Sequence, residues 1–184
     1  VNCVFRTFDS PVGQLKLVAR GPSLVAVLWV PDRPGRVDPG PMDRDVEHPV
    51  LLETEHQLRQ YFAGERRGFD LPLSFGGTAF QRQVWQALLT IPFGQTRSYR
   101  ALARSIGHED AVRAVGAANG RNPISIVAPC HRVVGSAGQL TGFAGGIAAK
   151  RWLLRLEGAP ECVASPAQAS TPRNPPLWCA HSRA

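Results

Sequence analysis

Long apolar runs are missing from this chain of 184 residues. No stretch approaches the ~18 consecutive apolar residues that a membrane-spanning helix needs, so no membrane partner is expected. No basic segment precedes an apolar run near the start, and Asp9 and the turn Ser10-Pro11-Val12-Gly13 interrupt it, so no secretory signal is expected. Cysteine is scarce. Cys3, Cys130, Cys162 and Cys179 are widely scattered and form no C-x-x-C pair. That spacing argues against a disulfide framework or a zinc ribbon and suits a reducing cytoplasm. Acidic residues are scarce in one region only: residues 76–160 hold three Asp/Glu against ten Lys/Arg, whereas residues 1–75 hold ten against nine. The net charge of +7 therefore arises in the second region. A basic surface confined in this way implies a polyanionic partner, and nucleic acid is the obvious class. The competing explanation is a generally arginine-rich composition with solvated side chains, but the first region is equally arginine-rich and neutralised.

With 43% hydrophobic residues, the chain is long enough for one or two small domains with real cores. Cys3 to Phe8, Leu15 to Ala19 and Leu24 to Val30 are rich in Val, Leu and aromatics and separated by Pro/Gly turns, which predicts strands. Residues 31–48 are rich in Pro, Gly and Asp without periodicity and read as a long loop. A helix is expected from Pro49 to Ala63, with Leu51, Leu52, Leu58, Tyr61 and Phe62 on one face and Gly64 beyond its end. Phe69 to Leu73 reads as a short strand. Gly76-Gly77 marks a linker, so a small α/β domain is expected over residues 1–75, with no chemical motif of its own.

Thr78-Ala79-Phe80-Gln81 has the form of a capping box, and Phe80, Val84, Trp85, Leu88 and Leu89 continue it as an amphipathic helix ended by Pro92 and Gly94. Ser98 caps a second helix, Tyr99 to Ile106, closed by Gly107. A third runs from Asp110 to Asn119. Two short helices around Gly107-His108-Glu109 fit a helix-turn-helix, although many helical hairpins share the pattern. The third helix is slim: Ala111, Ala114, Gly116, Ala117 and Ala118 surround Arg113. Small residues of this kind make either a close-packing face or a surface that enters a narrow groove. A Gly-rich loop follows from Gly135 to Gly146, then a last helix, Ala148 to Glu157. Residues 159–184 hold five prolines and no period, and disorder is expected there.

One segment is poor packing material. Pro129-Cys130-His131-Arg132-Val133 follows the strand-like run Ile124-Ser125-Ile126-Val127-Ala128 and puts a thiol beside two basic side chains. Cationic neighbours lower a thiol pKa, and the thiolate is the nucleophilic form, so an exposed, activated Cys130 is expected.

Residues 76–158 resemble the methylated-DNA–protein-cysteine S-methyltransferases, the alkylguanine-DNA alkyltransferases. The resemblance rests on Gly77-Thr78-Ala79-Phe80-Gln81, Val84-Trp85, Ile91-Pro92-Phe93-Gly94, Ser98-Tyr99, Ala111 to Gly116, Asn122-Pro123, Pro129 to Val134, Gly145-Gly146, Leu153-Leu154 and Glu157-Gly158, in the family's order and spacing. The first 75 residues fit the family's smaller domain in outline. The implied fold is an α/β N-terminal domain, a small sheet plus helix, followed by a mainly α, winged-helix-like domain with a helix-turn-helix over residues 76–158.

The resemblance also implies roles. Cys130 would accept an alkyl group from O6 of guanine, or less readily from O4 of thymine, in double-stranded DNA. His131 would take the thiol proton through a water, and Glu157 would orient that histidine. Asn122 would tie the helix-turn-helix to the active-site segment, and Tyr99 would hydrogen-bond or protonate the flipped base. Arg113 would enter the base stack, with Ala114 on the same helix against DNA and Arg100, Arg121 and Arg132 contacting phosphates. Main-chain groups of Cys130, Val133 and Ala144 would read the guanine edge, with Phe143 as a pocket wall. Phe143 stands where many members carry tyrosine, and Ala144 where some carry serine. Some relatives hold zinc in the N-terminal domain through two cysteines and two histidines; only Cys3 lies in that part here, so no metal is expected. A cytoplasmic monomer is expected, with no cofactor and no obligate protein partner, spent after one event. The rivals are a non-catalytic reader of alkylated DNA, whose representatives lack the acceptor cysteine, and a Cys-His hydrolase. Immediate adjacency disfavours the hydrolase, because it leaves the imidazole badly placed to bond the thiol directly.

Overall fold

A computed structural model describes residues 2–160. The expectation for the tail falls outside the described residues from position 161 onward. The N-terminal part opens with three antiparallel strands, β1 (Cys3–Ser10), β2 (Gly13–Arg20) and β3 (Ser23–Trp29). Alternation divides them cleanly. Leu15, Leu17 and Ala19 of β2, with Val27 and Trp29 of β3, face the main core, where Leu51, Leu58 and Tyr61 of helix α1 (Pro49–Phe62) cover them. Cys3, Val18, Ala26 and Leu28 face the other way, against Val37 and Met42.

That second apolar face explains one departure from expectation. Within residues 31–48, read as loop, Met42–Arg44 form a strand, β4, pairing parallel with β1 and completing the order β3-β2-β1-β4. The segment has no strand pattern of its own; the free edge of β1 and the uncovered face supply its partners. Conversely, Phe69 to Leu73 does not extend as a strand. Leu73 bridges Leu24, but Pro72 has no N–H to continue a ladder.

The C-terminal part is helical: α2 (Ala79–Leu88), α3 (Tyr99–Ser105), α4 (Val112–Gly120) and α5 (Gly146–Leu156). The Thr78–Gln81 capping box forms in both directions, and Ser98 caps α3 by accepting from the Ala101 N–H. A tight turn through Gly107, at φ +74°, joins α3 to α4. Two residue pairs, β5 (Arg97–Ser98) and β6 (Val133–Val134), form a small parallel sheet beside them. The slimness of α4 serves both readings, on different faces. Inward, Val115 and Ala118 are buried, Trp85 Nε1 donates to the Ala118 carbonyl at 2.8 Å, and a methyl group at Gly116 would lie 3.8 Å from the Tyr99 ring. Outward, Arg113, Ala114, Ala117 and Arg121 share an exposed face.

The two parts meet along β3. The Val27 N–H donates to the Pro123 carbonyl at 2.9 Å, and the Ser125 N–H to the Val27 carbonyl at 3.2 Å. Edge pairing of this kind both caps the sheet and clamps the segment that leads to Cys130. No helix among the described residues is long and apolar enough to cross a membrane.

Candidate active site

The segment before Cys130 is not a strand. Asn122, fully buried, folds it into consecutive turns: its Oδ1 accepts from the Ile124 N–H at 3.1 Å and its Nδ2 donates to the Ala128 carbonyl at 2.7 Å. The Val127 N–H donates to the Ser125 carbonyl across Ile126, which is held at φ +72°. A β-branched residue there is strained by about 1–3 kcal/mol. Pro129, at φ −80° and ψ 65°, makes the next turn, with the Cys130 N–H on the Ala128 carbonyl at 2.8 Å. These turns feed a short 3-10 turn, Cys130–Arg132.

Cys130 is therefore placed differently from the expected exposed thiolate. It is 3% exposed, and burial pushes its thiol pKa up. An Asn122 hydrogen bond and the charges of Lys150 and Arg36 oppose that rise without reversing it. The resting group is a neutral thiol, so activation requires a base.

His131 is in place to act as one. Its ring is fully buried, and Nε2 lies 2.8 Å from Glu157 Oε1. A carboxylate only accepts, so Nε2 carries the proton and Nδ1 keeps its lone pair. Nδ1 has no hydrogen-bond partner among the described residues. Burial lowers the imidazole pKa, the Glu157 bond works against that, and Arg132 and Lys150 lower it further. The result is a neutral, available base next to the thiol.

Glu157 collects most of the polar order of the site. Oε2 accepts from Arg132 Nε at 2.8 Å and the Gly94 N–H at 3.3 Å. Oε1 accepts from His131, from the second arm of Arg132 at 2.9 Å and from the Tyr61 hydroxyl at 2.6 Å. Burial by itself raises a carboxyl pKa, but the bonds from His131 and Arg132 outweigh it and hold Glu157 at about 2. Gly94, at φ +76°, permits the approach; a methyl group there would come 2.8 Å from the Glu157 carbonyl oxygen.

Arg132 requires a correction. Expected as a phosphate contact, it is 7% exposed, with its guanidinium on Glu157 and on the Ile91 carbonyl at 2.5 Å. A buried carboxylate needs a cation, and the adjacent arginine satisfies it. Arg100, Arg113 and Arg121 are exposed, as phosphate or groove contacts must be. Tyr99 is half-buried; its oxygen accepts from Thr141 Oγ1 at 3.0 Å, and burial raises its pKa, so the phenol stays a donor. Phe143 packs edge-on to Trp29 and lies 6.5 Å from the His131 ring, and Ala144 follows it, half-buried.

Three residues escaped the sequence reading. Lys150 is fully buried on α5, its Nζ 2.5 Å from the Val133 carbonyl, and its charge acts on both Cys130 and His131. Its only sequence signal was a lysine on the apolar face of the last helix. Arg36 pairs with Asp32 and donates to the Asn122 carbonyl at 2.6 Å, from a loop with no pattern to mark it. Tyr61 looks in sequence like a core residue of α1.

Three comparisons bear on this arrangement. Residues 79–159 match the profile described as 6-O-methylguanine DNA methyltransferase, DNA binding domain, and residues 3–75 that of its ribonuclease-like domain. The methylated-DNA–protein-cysteine methyltransferase of Mycobacterium tuberculosis is 48% identical over 159 residues, 83% of this chain and 91% of that protein. That of Methanosarcina acetivorans is 44% identical over 156 residues, 84% and 98% of the two. The crystal structure of Mycobacterium tuberculosis OGT in complex with DNA aligns with a TM-score of 0.76 at 47% identity, covering 85% of this chain and 95% of that one.

Proposed function

The chain belongs to the 6-O-methylguanine DNA methyltransferase family, and from that membership we propose how its residues divide the work of repair. It is a methylated-DNA–protein-cysteine methyltransferase that repairs O6-methylguanine in DNA. It joins an α/β ribonuclease-like domain to a helical DNA-binding domain. In our reading these are residues 1–75 and 76–158. The substrate is double-stranded DNA carrying an alkylated guanine, with thymine O4 a slower target, and the protein works alone in the cytoplasm.

The observation that carries the assignment is the buried imidazole of His131, next to Cys130 in the chain, fixed at Nε2 by Glu157 and without a hydrogen-bond partner at Nδ1 among the described residues. His131 takes the thiol proton at Nδ1 through a bridging water as Sγ attacks the alkyl carbon. The C–S bond forms while the C–O6 bond breaks, and its electron pair passes to the purine. Tyr99 donates to that purine, a role suited to a phenol whose pKa is raised. The new imidazolium is held against a carboxylate that stays ionised. Nothing in this sequence of steps reverses the thioether, so Cys130 is spent once.

A lesion inside a duplex is out of reach of a buried thiol, so the base must leave the stack. The exposed face of α4 suits the minor groove: Ala114 and Ala117 keep it low, and Arg113 fills the gap left by the flipped nucleotide. Arg100 and Arg121 hold phosphates on either side. Phe143 walls the pocket, and main-chain groups of Cys130, Val133 and Ala144 read the guanine edge.

The test is direct. Incubation with a duplex containing O6-methylguanine should make the Cys130 peptide heavier by one methyl, at one per protein, with no gain in Cys130→Ala. Tight binding with unchanged mass would leave only the non-catalytic reader standing.

A further inference from the structure

We propose that Tyr61 of the N-terminal domain is a positioning residue of the repair site, whose hydroxyl shares Glu157 Oε1 with His131 and so limits how strongly that carboxylate draws a proton onto the imidazole. The inference rests on the His131–Glu157 relay described above.

Tyr61 stands in the last turn of α1, ninety-six positions before Glu157. Its side chain is 0% exposed, among the largest fully buried side chains in the described protein. Phe62, Phe69 and Phe93 surround the ring, with centroids 5.5, 5.3 and 6.3 Å away. Those contacts fix the ring but do not explain the destination of the hydroxyl. Oη donates at 2.6 Å to the same oxygen that receives His131 Nε2 at 2.8 Å and one arm of Arg132 at 2.9 Å. Among the described residues three donors converge on Oε1, while Oε2 takes Arg132 Nε and the more distant Gly94 N–H.

Each donor to a carboxylate oxygen spreads its charge and lowers its affinity for a further proton. With the Tyr61 bond in place, Glu157 orients the imidazole yet leaves it neutral, with Nδ1 able to accept. Removing that donor concentrates charge on Oε1, which favours the imidazolium. The Tyr61 phenol cannot itself lose the proton in the working range, because burial and the Glu157 charge push its pKa upward.

Among the described residues, few other charged groups surround the pair. Arg132 faces Glu157 from the 3-10 turn, Lys150 of α5 faces the imidazole and the thiol, and Arg36 acts on the thiol from its loop. Arg67 stacks on Phe93, 5.7 Å from the ring centroid. All four are cations, so the proton that moves in the reaction passes between Cys130 and His131. A domain without a chemical motif thus reaches Glu157 through the Tyr61 hydroxyl.

The test compares rates of methyl transfer from an O6-methylguanine duplex across pH for the full chain, Tyr61→Phe, Phe69→Leu and Glu157→Gln. Tyr61→Phe keeps the ring and removes one atom, whereas Phe69→Leu loosens the ring contacts and keeps the hydroxyl. In Tyr61→Phe the acid limb should move to higher pH by about half a unit, so rates on the acid side of its midpoint fall about threefold relative to the plateau at about pH 8. The His131 ring nitrogens, followed by NMR in labelled protein, should titrate upward by the same amount. Phe69→Leu should lower the melting temperature and leave the acid limb in place. A Tyr61→Phe profile superimposed on that of the parent, with the His131 resonances unmoved, would overturn the inference if Glu157→Gln still displaces the profile. If Glu157→Gln fails to displace it as well, the relay itself is wrong.

Discussion

Arg132 and Glu157 meet through two hydrogen bonds inside the protein, Nε to Oε2 at 2.8 Å and Nη2 to Oε1 at 2.9 Å. A basic residue of the reactive motif, which in sequence reads as part of a DNA-facing patch, is thereby turned inward. The pair neutralises a carboxylate that His131 alone could not, since burial keeps that imidazole uncharged.

Removing this cation should affect stability and spare the electrostatics of DNA binding. Arg132→Ala leaves Glu157 buried without its ionic partner, at a cost of about 3–5 kcal/mol in urea denaturation. The dependence of duplex affinity on salt should keep its slope. Arg121→Ala should show the reverse: unchanged stability, and a log–log salt slope shallower by about 0.9. A reduced slope in Arg132→Ala would return that residue to the DNA interface.

Glu157 also predicts a pH dependence of folding. Its carboxyl is held at about 2 in the folded protein against 4.5 for the unperturbed group. A depressed folded pKa contributes stability that is fully present above about 4.5 and is lost as pH falls toward about 2. Acid unfolding followed by circular dichroism should be steep in that window. In Glu157→Gln the same window should be flatter by a few kcal/mol, on a lower plateau at neutral pH.

Lys150 should govern the thiol. Its Nζ is fixed on the Val133 carbonyl, and its charge opposes the burial that raises the Cys130 pKa. Lys150→Met preserves much of the volume and removes the charge, so the thiol pKa should rise further. Methyl transfer at pH 7 should slow by about three- to tenfold and recover as pH increases. A rate lowered equally at all pH values would mean that Lys150 only supports the loop.

Much of this was legible in the sequence because it depends on local chemistry. The capping box at Thr78–Gln81 and the strand alternation of Leu15, Leu17 and Ala19 are fixed by neighbours a few residues away. So is the adjacency of Cys130 and His131. The order of motifs from Gly77 to Gly158 carried the family, and with it the reaction. The strand Met42–Arg44 was not legible, because its pairing comes from the open edge of β1 and not from its own pattern.

Burial and partnership were decided only by the tertiary structure. The motif Pro129-Cys130-His131-Arg132 suggests an exposed, electropositive thiolate. The folded chain buries all of it, sends Arg132 to Glu157, and leaves the thiol neutral beside a neutral base. Tyr61, Arg36 and Lys150 join the site from positions where sequence gives a core aromatic, a loop cation and a helix cation. Local order along the chain is enough to name the reaction, because Cys130 and His131 are adjacent and the motifs around them keep the family's order and spacing. Their protonation states came from the fold, because a pKa depends on desolvation and on charges that arrive from distant segments.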